Sequence, residues 1–215
     1  MTRPGLVPAR NGGFSMIEVL VSLLIIVFGL LGLAGLQVRI QQSEFESYQR
    51  AQALVLLQDM VERIHMHRST ATCFHFTTNT TNGSPYLGTG SGNAPACSAS
   101  TTNDNTMADD AISEWKDLLL GAAEDLAGSS VGAMAGARGC VSYDATTELT
   151  DAGGVALPGT GKYTVAVSWK GTIDTAPPVM ADGVTPVNCG NDNALYGAET
   201  RRRAVYTQFR LAKLN

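Results

Sequence analysis

The feature that most limits what this chain can become is the apolar run 14–36, which holds a single ionisable side chain, Glu18, in 23 residues. As a helix rising about 1.5 Å per residue it would reach roughly 34 Å, enough to cross a hydrocarbon core of about 30 Å. The run is therefore expected to be a membrane-spanning helix. A carboxylate near one end of such a helix is costly unless a cation neutralises it, so Glu18 is the residue that needs a functional reason. A cut between Gly13 and Phe14 would supply one by leaving a free α-amino group on Phe14. That ammonium lies one helical turn from its own Glu18, and it is also within reach of the Glu18 of a copy packed alongside and shifted by one subunit. Paired across two subunits, neither charge would be buried alone.

Two plainer explanations of the run fail on its details. A cleaved secretory signal has an apolar core of about 7–15 residues with a small-residue site after it; here the core is longer and Gly13 lies before it. A signal anchor on an unrelated domain explains the hydrophobicity but leaves Gly13 and Glu18 as coincidences. Residues 1–13 carry Arg3 and Arg10 and no acidic residue, which by the positive-inside tendency keeps them cytoplasmic while the rest is exported. The formal charge of −4 falls to −6 once those two arginines are removed, which argues against a general nucleic-acid binder.

The segment Gly13-Phe14-Ser15-Met16-Ile17-Glu18-Val19-Leu20 resembles the class III signal of type IV pilins and pseudopilins, which runs Gly, Phe, a small hydroxyl residue, two apolar residues and Glu. The resemblance implies a leader, residues 1–13, removed by a prepilin peptidase that cuts after Gly13 and N-methylates Phe14, and it makes Glu18 the assembly carboxylate. It implies an α+β fold of the type IV pilin kind, with a long N-terminal helix, membrane-spanning in its first half, packed on a small antiparallel β-sheet head. A looser resemblance along the whole chain, in the Gly-rich helix, the length and the cysteine-bearing β-domain, is to the PilV-type minor pilins. It implies a non-catalytic subunit of a minor-pilin complex that primes or caps a type IV pilus. The partners so implied are other minor pilins, a pilus-tip adhesin, the major pilin, the prepilin peptidase and the inner-membrane assembly platform. The location so implied is the bacterial inner membrane, single-pass with a periplasmic C-terminal domain, and then the pilus. A minor pseudopilin of a type II secretion machine is the alternative. The smallest of those lack room for the insert 69–105 and usually lack the cysteines.

Gly29, Gly32 and Gly35 occupy an arc of roughly 120° on one side of the helix, smooth enough for close packing and weak enough to be a soft spot. Major pilins often carry a helix-breaking Pro near Gly35, whereas this chain has no Pro between Pro8 and Pro85. The stretch 37–68 continues as an amphipathic helix to about His67, with Leu54, Leu57, Val61 and Ile64 as its apolar stripe and Glu46–Arg50 and Asp59–Arg63 as i,i+4 pairs. Residues 69–108, rich in Thr, Ser, Asn and Gly, are expected to be a loop stapled by Cys73 and Cys97. The remaining 109–215 form the globular part. A second helix starts at the capping-like Thr106–Asp109 and carries Ile112, Trp115 and Leu119 on one face. Gly128, Gly132, Gly136 and Gly139 interrupt the pattern. Three strands follow, at 139–144, 163–169 and 203–211, with the helix stripe as cover for their apolar face.

Cys73, Cys97, Cys140 and Cys189 allow three pairings in an oxidising compartment. The local one, Cys73–Cys97 with Cys140–Cys189, closes loops of a few tens of residues, and no C-x-x-C spacing suggests zinc. His65 and His67, with His75 nearby, read as a solvated helix end rather than a metal cluster, since residues two apart on a helix diverge. Arg201, Arg202 and Arg203 read as a charged start to an edge strand. No nucleophile elbow, phosphate-cradling loop or apolar carboxylate pair is present, so no catalytic residue, metal or cofactor is expected.

Overall fold

A computed structural model of the chain describes residues 13–94, 96–123, 125, 126, 129, 130, 134–197 and 199–212. All of the leader but Gly13, together with Gly128 and Gly132, lies outside them. The chain divides into two units, one up to Glu44 and one from Phe45 onward.

A single helix, α1 (Met16–Met66), runs through both. In the first unit it continues unbroken through Gly29, Gly32 and Gly35, where an added Cβ would meet nothing within 4 Å. Its large apolar side chains from Phe14 to Ile40 are 47–92% exposed. A surface of that extent requires hydrocarbon or other protein to cover it, and the helix is long and apolar enough to cross a membrane.

The second unit is the head. After α1 come α2 (Ala71–Phe74), β1 (Leu87–Gly88), α3 (Thr102–Leu119), β2 (Asp125–Leu126), β3 (Ser129–Ser130), β4 (Arg138–Asp144), β5 (Lys162–Lys170), α4 (Asn193–Tyr196) and β6 (Arg202–Arg210). The four-stranded sheet has the order β1-β4-β5-β6 and is antiparallel throughout, with Cys140 opposite Ala166 and Val167 opposite Val205. The fold is thus α+β. The three long strands fall within a residue of their expected limits because alternation is a local signal: Tyr163, Val165, Val167 and Trp169 all face the core of β5 and all are buried. Against them pack Ala53, Leu57, Met60 and Ile64 of α1 and Ala108, Ile112, Trp115 and Leu119 of α3. The Trp115 indole donates to the Leu56 carbonyl at 2.8 Å, tying the two helices together.

Several expectations change. The buried stripe of α1 is Gln49, Ala53, Leu57, Met60 and Ile64, while Leu54 is 48% exposed and Val61 only half-buried. The small Ala53 is fully buried in that stripe. Asp59 does pair with Arg63, at 2.7 Å, and Arg63 also reaches Glu114 of α3 at 2.9 Å. Glu46, however, turns from Arg50 to the segment after β5. Helix α3 starts earlier than Thr106: the Thr101 hydroxyl accepts from the Asp104 amide at 3.2 Å, and Thr106 lies inside the helix, donating to the Thr102 carbonyl. The stretch 69–108 is accordingly less of a loop than its composition suggests, since it holds α2, β1 and the first turns of α3.

The outer face of the sheet carries a second cluster of Cys140, Ala166, Val187 and Cys189. Cys140 is bonded to Cys189, with Cα atoms 5.6 Å apart, and Cys73 to Cys97, 5.2 Å apart. At sequence separations of 24 and 49, loop entropy gives about 3.5 and 4 kcal/mol of stabilisation. Thiol labelling of denatured, unreduced protein should therefore find no reactive cysteine. Prior reduction should expose four and lower the unfolding midpoint of the head.

Candidate functional site

The residues singled out by the N-terminal motif lie together on one exposed turn. Gly13, Phe14 and Ser15 precede the helix, which opens with the Glu18 and Val19 amides donating to the Ser15 carbonyl at 3.0 and 3.3 Å. Glu18 therefore sits in the first turn of α1, where the partial positive charge of the helix end favours a carboxylate. Phe14 is 86% exposed, and an added Cβ at Gly13 would meet nothing within 4 Å. The fold of the chain does not itself require glycine at 13.

The other residues noticed in the sequence do not converge. His65 lies against the Phe209 ring at 5.0 Å, His67 against Phe74 at 5.6 Å and His75 against Tyr143 at 5.5 Å. They are partly covered by three different rings rather than forming a solvated end. Among the described residues no group of three His, Cys, Asp or Glu side chains could hold a metal. The arginine run does open the edge strand β6, but its charges are engaged by partners rather than left in solvent. Arg201 pairs with Asp174 at 3.1 Å, and Arg202 is buried, bound to Glu199 and to the Val187 carbonyl. Arg203 reaches Glu46 and donates to the Ile173 carbonyl at 2.6 Å.

Two polar centres in the head escaped the sequence analysis. Arg138, 3% exposed, donates to Thr89 and Gly190 carbonyls at 2.9 and 2.7 Å, pairs with Asp192 at 3.0 Å and lies 4.1 Å over the Tyr86 ring. Only the long-range fold supplies those partners, so no local signal marked them. Glu46 is the second: its Oε1 accepts from the Thr172 amide and hydroxyl, each at 2.9 Å, and from the Ile173 amide at 3.4 Å. Burial pushes the Glu46 carboxyl up, but the Thr172 hydrogen bonds and the Arg203 charge outweigh it and hold the group below its ordinary value. Tyr163, buried in the core, is pushed up to about 12 by that burial and then by Tyr143 and Glu148. A cavity of about 360 Å³ lined by Arg68, Thr72, Thr160, Tyr163 and Leu211, among others, has no carboxylate, cysteine or histidine in its wall and offers no acid–base pair.

An exposed apolar helix that opens on a glycine, a phenylalanine and a first-turn glutamate, and continues into a head with an antiparallel sheet, is the architecture of the pilin class. A family model described as Prokaryotic N-terminal methylation motif matches residues 8–34, and one described as Type IV pilin Tt1218 matches residues 35–109. No curated protein and no solved structure matches the chain. The two family matches abut, spanning residues 8–109 between them, and together with the α+β fold they support a type IV pilin. A type IV pilin with an N-terminal methylation motif implies processing by a prepilin peptidase and assembly with other pilins, the motif and the long apolar helix suggest anchoring in a membrane, and the pilin family is generally structural.

Proposed function

We propose that this chain is a minor pilin, of the PilV type, that joins other minor pilins in a complex priming or capping a type IV pilus. The observation that carries the reading is the motif Gly13-Phe14-Ser15-Met16-Ile17-Glu18 at the exposed start of an uncovered apolar helix. The peptidase cuts after Gly13 and methylates Phe14. Glu18 then pairs with the Phe14 ammonium of an adjoining subunit inside the apolar contact. Before assembly the chain is held in the inner membrane with its head in the periplasm, where the two disulfides are kept oxidised. The major pilin, a tip adhesin and the inner-membrane platform are the further partners of this role. The head of 45–215 and its disulfides suit a pilus tip better than the smallest secretion pseudopilins.

Intact-mass measurement tests the processing directly. Assembled protein should lack residues 1–13 and carry one added methyl, and Met1 retained there overturns the reading. Deleting the gene then separates the machines. Surface pili should fall in number while type II secretion continues, and the reverse result assigns the chain to the secretion machine.

A further inference from the structure

The head end of α1 is held by two different kinds of contact. Residues 53–64 are docked by apolar burial, with Ala53, Met60 and Ile64 fully buried and Leu57 5% exposed, and by the Trp115 to Leu56 hydrogen bond. Residues 45–52 contribute one buried side chain, Gln49, at 2% exposure, while Phe45 and Tyr48 are about half exposed. The Gln49 Oε1 finds no donor among the described residues, and the buried Trp169 Nε1 on β5 finds no acceptor. A buried polar atom left without a partner favours any state in which water reaches it. Among the contacts that hold this stretch is one carboxylate oxygen, Glu46 Oε1, with donors from Thr172, Ile173 and Arg203.

The receiving side of that contact is built without the helix. Arg203 is held by the Ile173 and Thr200 carbonyls at 2.6 and 2.9 Å, and it lies so close to Gly171 that a Cβ there would come 2.7 Å from its guanidinium carbon. The Gly171 and Thr175 amides donate to the Arg201 and Thr200 carbonyls, at 2.7 and 2.8 Å. The donors for Glu46 thus stay in place when it leaves, so it can return without the segment refolding.

We propose that residues 45–52 of α1 form a releasable latch, which undocks reversibly from the sheet with Glu46 as its catch while residues 53–64 stay docked. Opening hydrates Gln49 and adds about two turns, roughly 12 Å, to the helix free of the head. A head on a longer neck can adjust its angle while neighbouring helices pack against α1. This follows from the head alone and holds whichever machine the subunit serves.

The four cysteines of the protein are all in disulfides, so one introduced thiol reports its own site. In the full chain in detergent under native conditions, Gln49→Cys should react at least about tenfold faster than Met60→Cys. Loss of hydrogen bonds to a charged group by Glu46→Gln should speed labelling at 49 by about tenfold more and leave 60 unchanged. Gly171→Ala, which displaces Arg203, should act in the same direction. Equal protection at 49 and 60, acceleration at both together, or no response to either catch variant each overturns the latch.

Discussion

Glu18→Ala should yield a protein that is made, inserted and correctly cut, yet fails to enter the assembly. The wild-type carboxylate sits in the first turn of an otherwise apolar helix and is exposed in the single chain. With the proposed cut leaving an ammonium on Phe14, Glu18 is the one side chain of the run able to neutralise that charge on a neighbour in an assembly that covers this helix. Removing one partner of a buried pair costs about 3–5 kcal/mol, because the other charge stays buried alone. At about 1.4 kcal/mol per tenfold, that is roughly two to three and a half orders of magnitude in association. The head should be untouched, since its core begins at Ala53, in the other unit. Glu18→Gln should behave like Glu18→Ala, because an amide keeps the size but not the charge, and Glu18→Asp should recover part of the function. Co-purification with other pilins and pilus counts are the measurements. A Glu18→Ala protein that binds its partners as strongly as wild type and supports normal piliation would refute charge pairing as the mechanism.

The motif was legible because its information is local. Gly13, Phe14 and Glu18 hold their spacing directly before an apolar run, and nothing distant changes that. The strands were legible for the same reason: the alternation around Tyr163, Val165, Val167 and Trp169 is a property of nine consecutive residues. Where the sequence misled, a distant partner outbid a nearby one. An i,i+4 pair is worth about 0.3–0.5 kcal/mol, so Glu46 abandons Arg50 once the fold brings donors from three residues 126 or more positions away. Arg202, paired locally with Glu199, reads as a surface charge until the fold brings the Val187 carbonyl, 15 positions away, to its guanidinium and buries it. The helix stripe was misplaced by weighting size over fit, since Ala53 and Gln49 carry little hydrophobicity but occupy the face that meets the sheet. For α3, Thr101 to Asp104 has the same cap-like spacing as the later pair, and only the structure chooses between them.

Gly139→Ala should be among the most damaging small changes in the head, although the same change in most strands would stabilise by about 0.5–1 kcal/mol. Gly139 lies within β4 opposite Val167, and its missing Cβ is occupied: an alanine methyl there would be 2.0 and 2.4 Å from two Trp115 ring carbons and 2.8 Å from a Leu119 methyl. The indole cannot simply retreat, because Trp115 is fully buried and its Nε1 is tied to the Leu56 carbonyl on α1. Either the strand or the α1–α3 pair must shift, which puts the cost at or above the top of the usual 1–3 kcal/mol for overpacking. Trp115→Ala leaves a cavity instead and should cost about 3–5 kcal/mol. The two changes should couple strongly, because without the indole the methyl at 139 has room. Denaturant unfolding of the four proteins in the cycle measures this. Gly139→Ala is expected to cost several times more in the wild type than in the Trp115→Ala background. Equal costs in both backgrounds would mean that Trp115 is not what excludes a side chain from position 139.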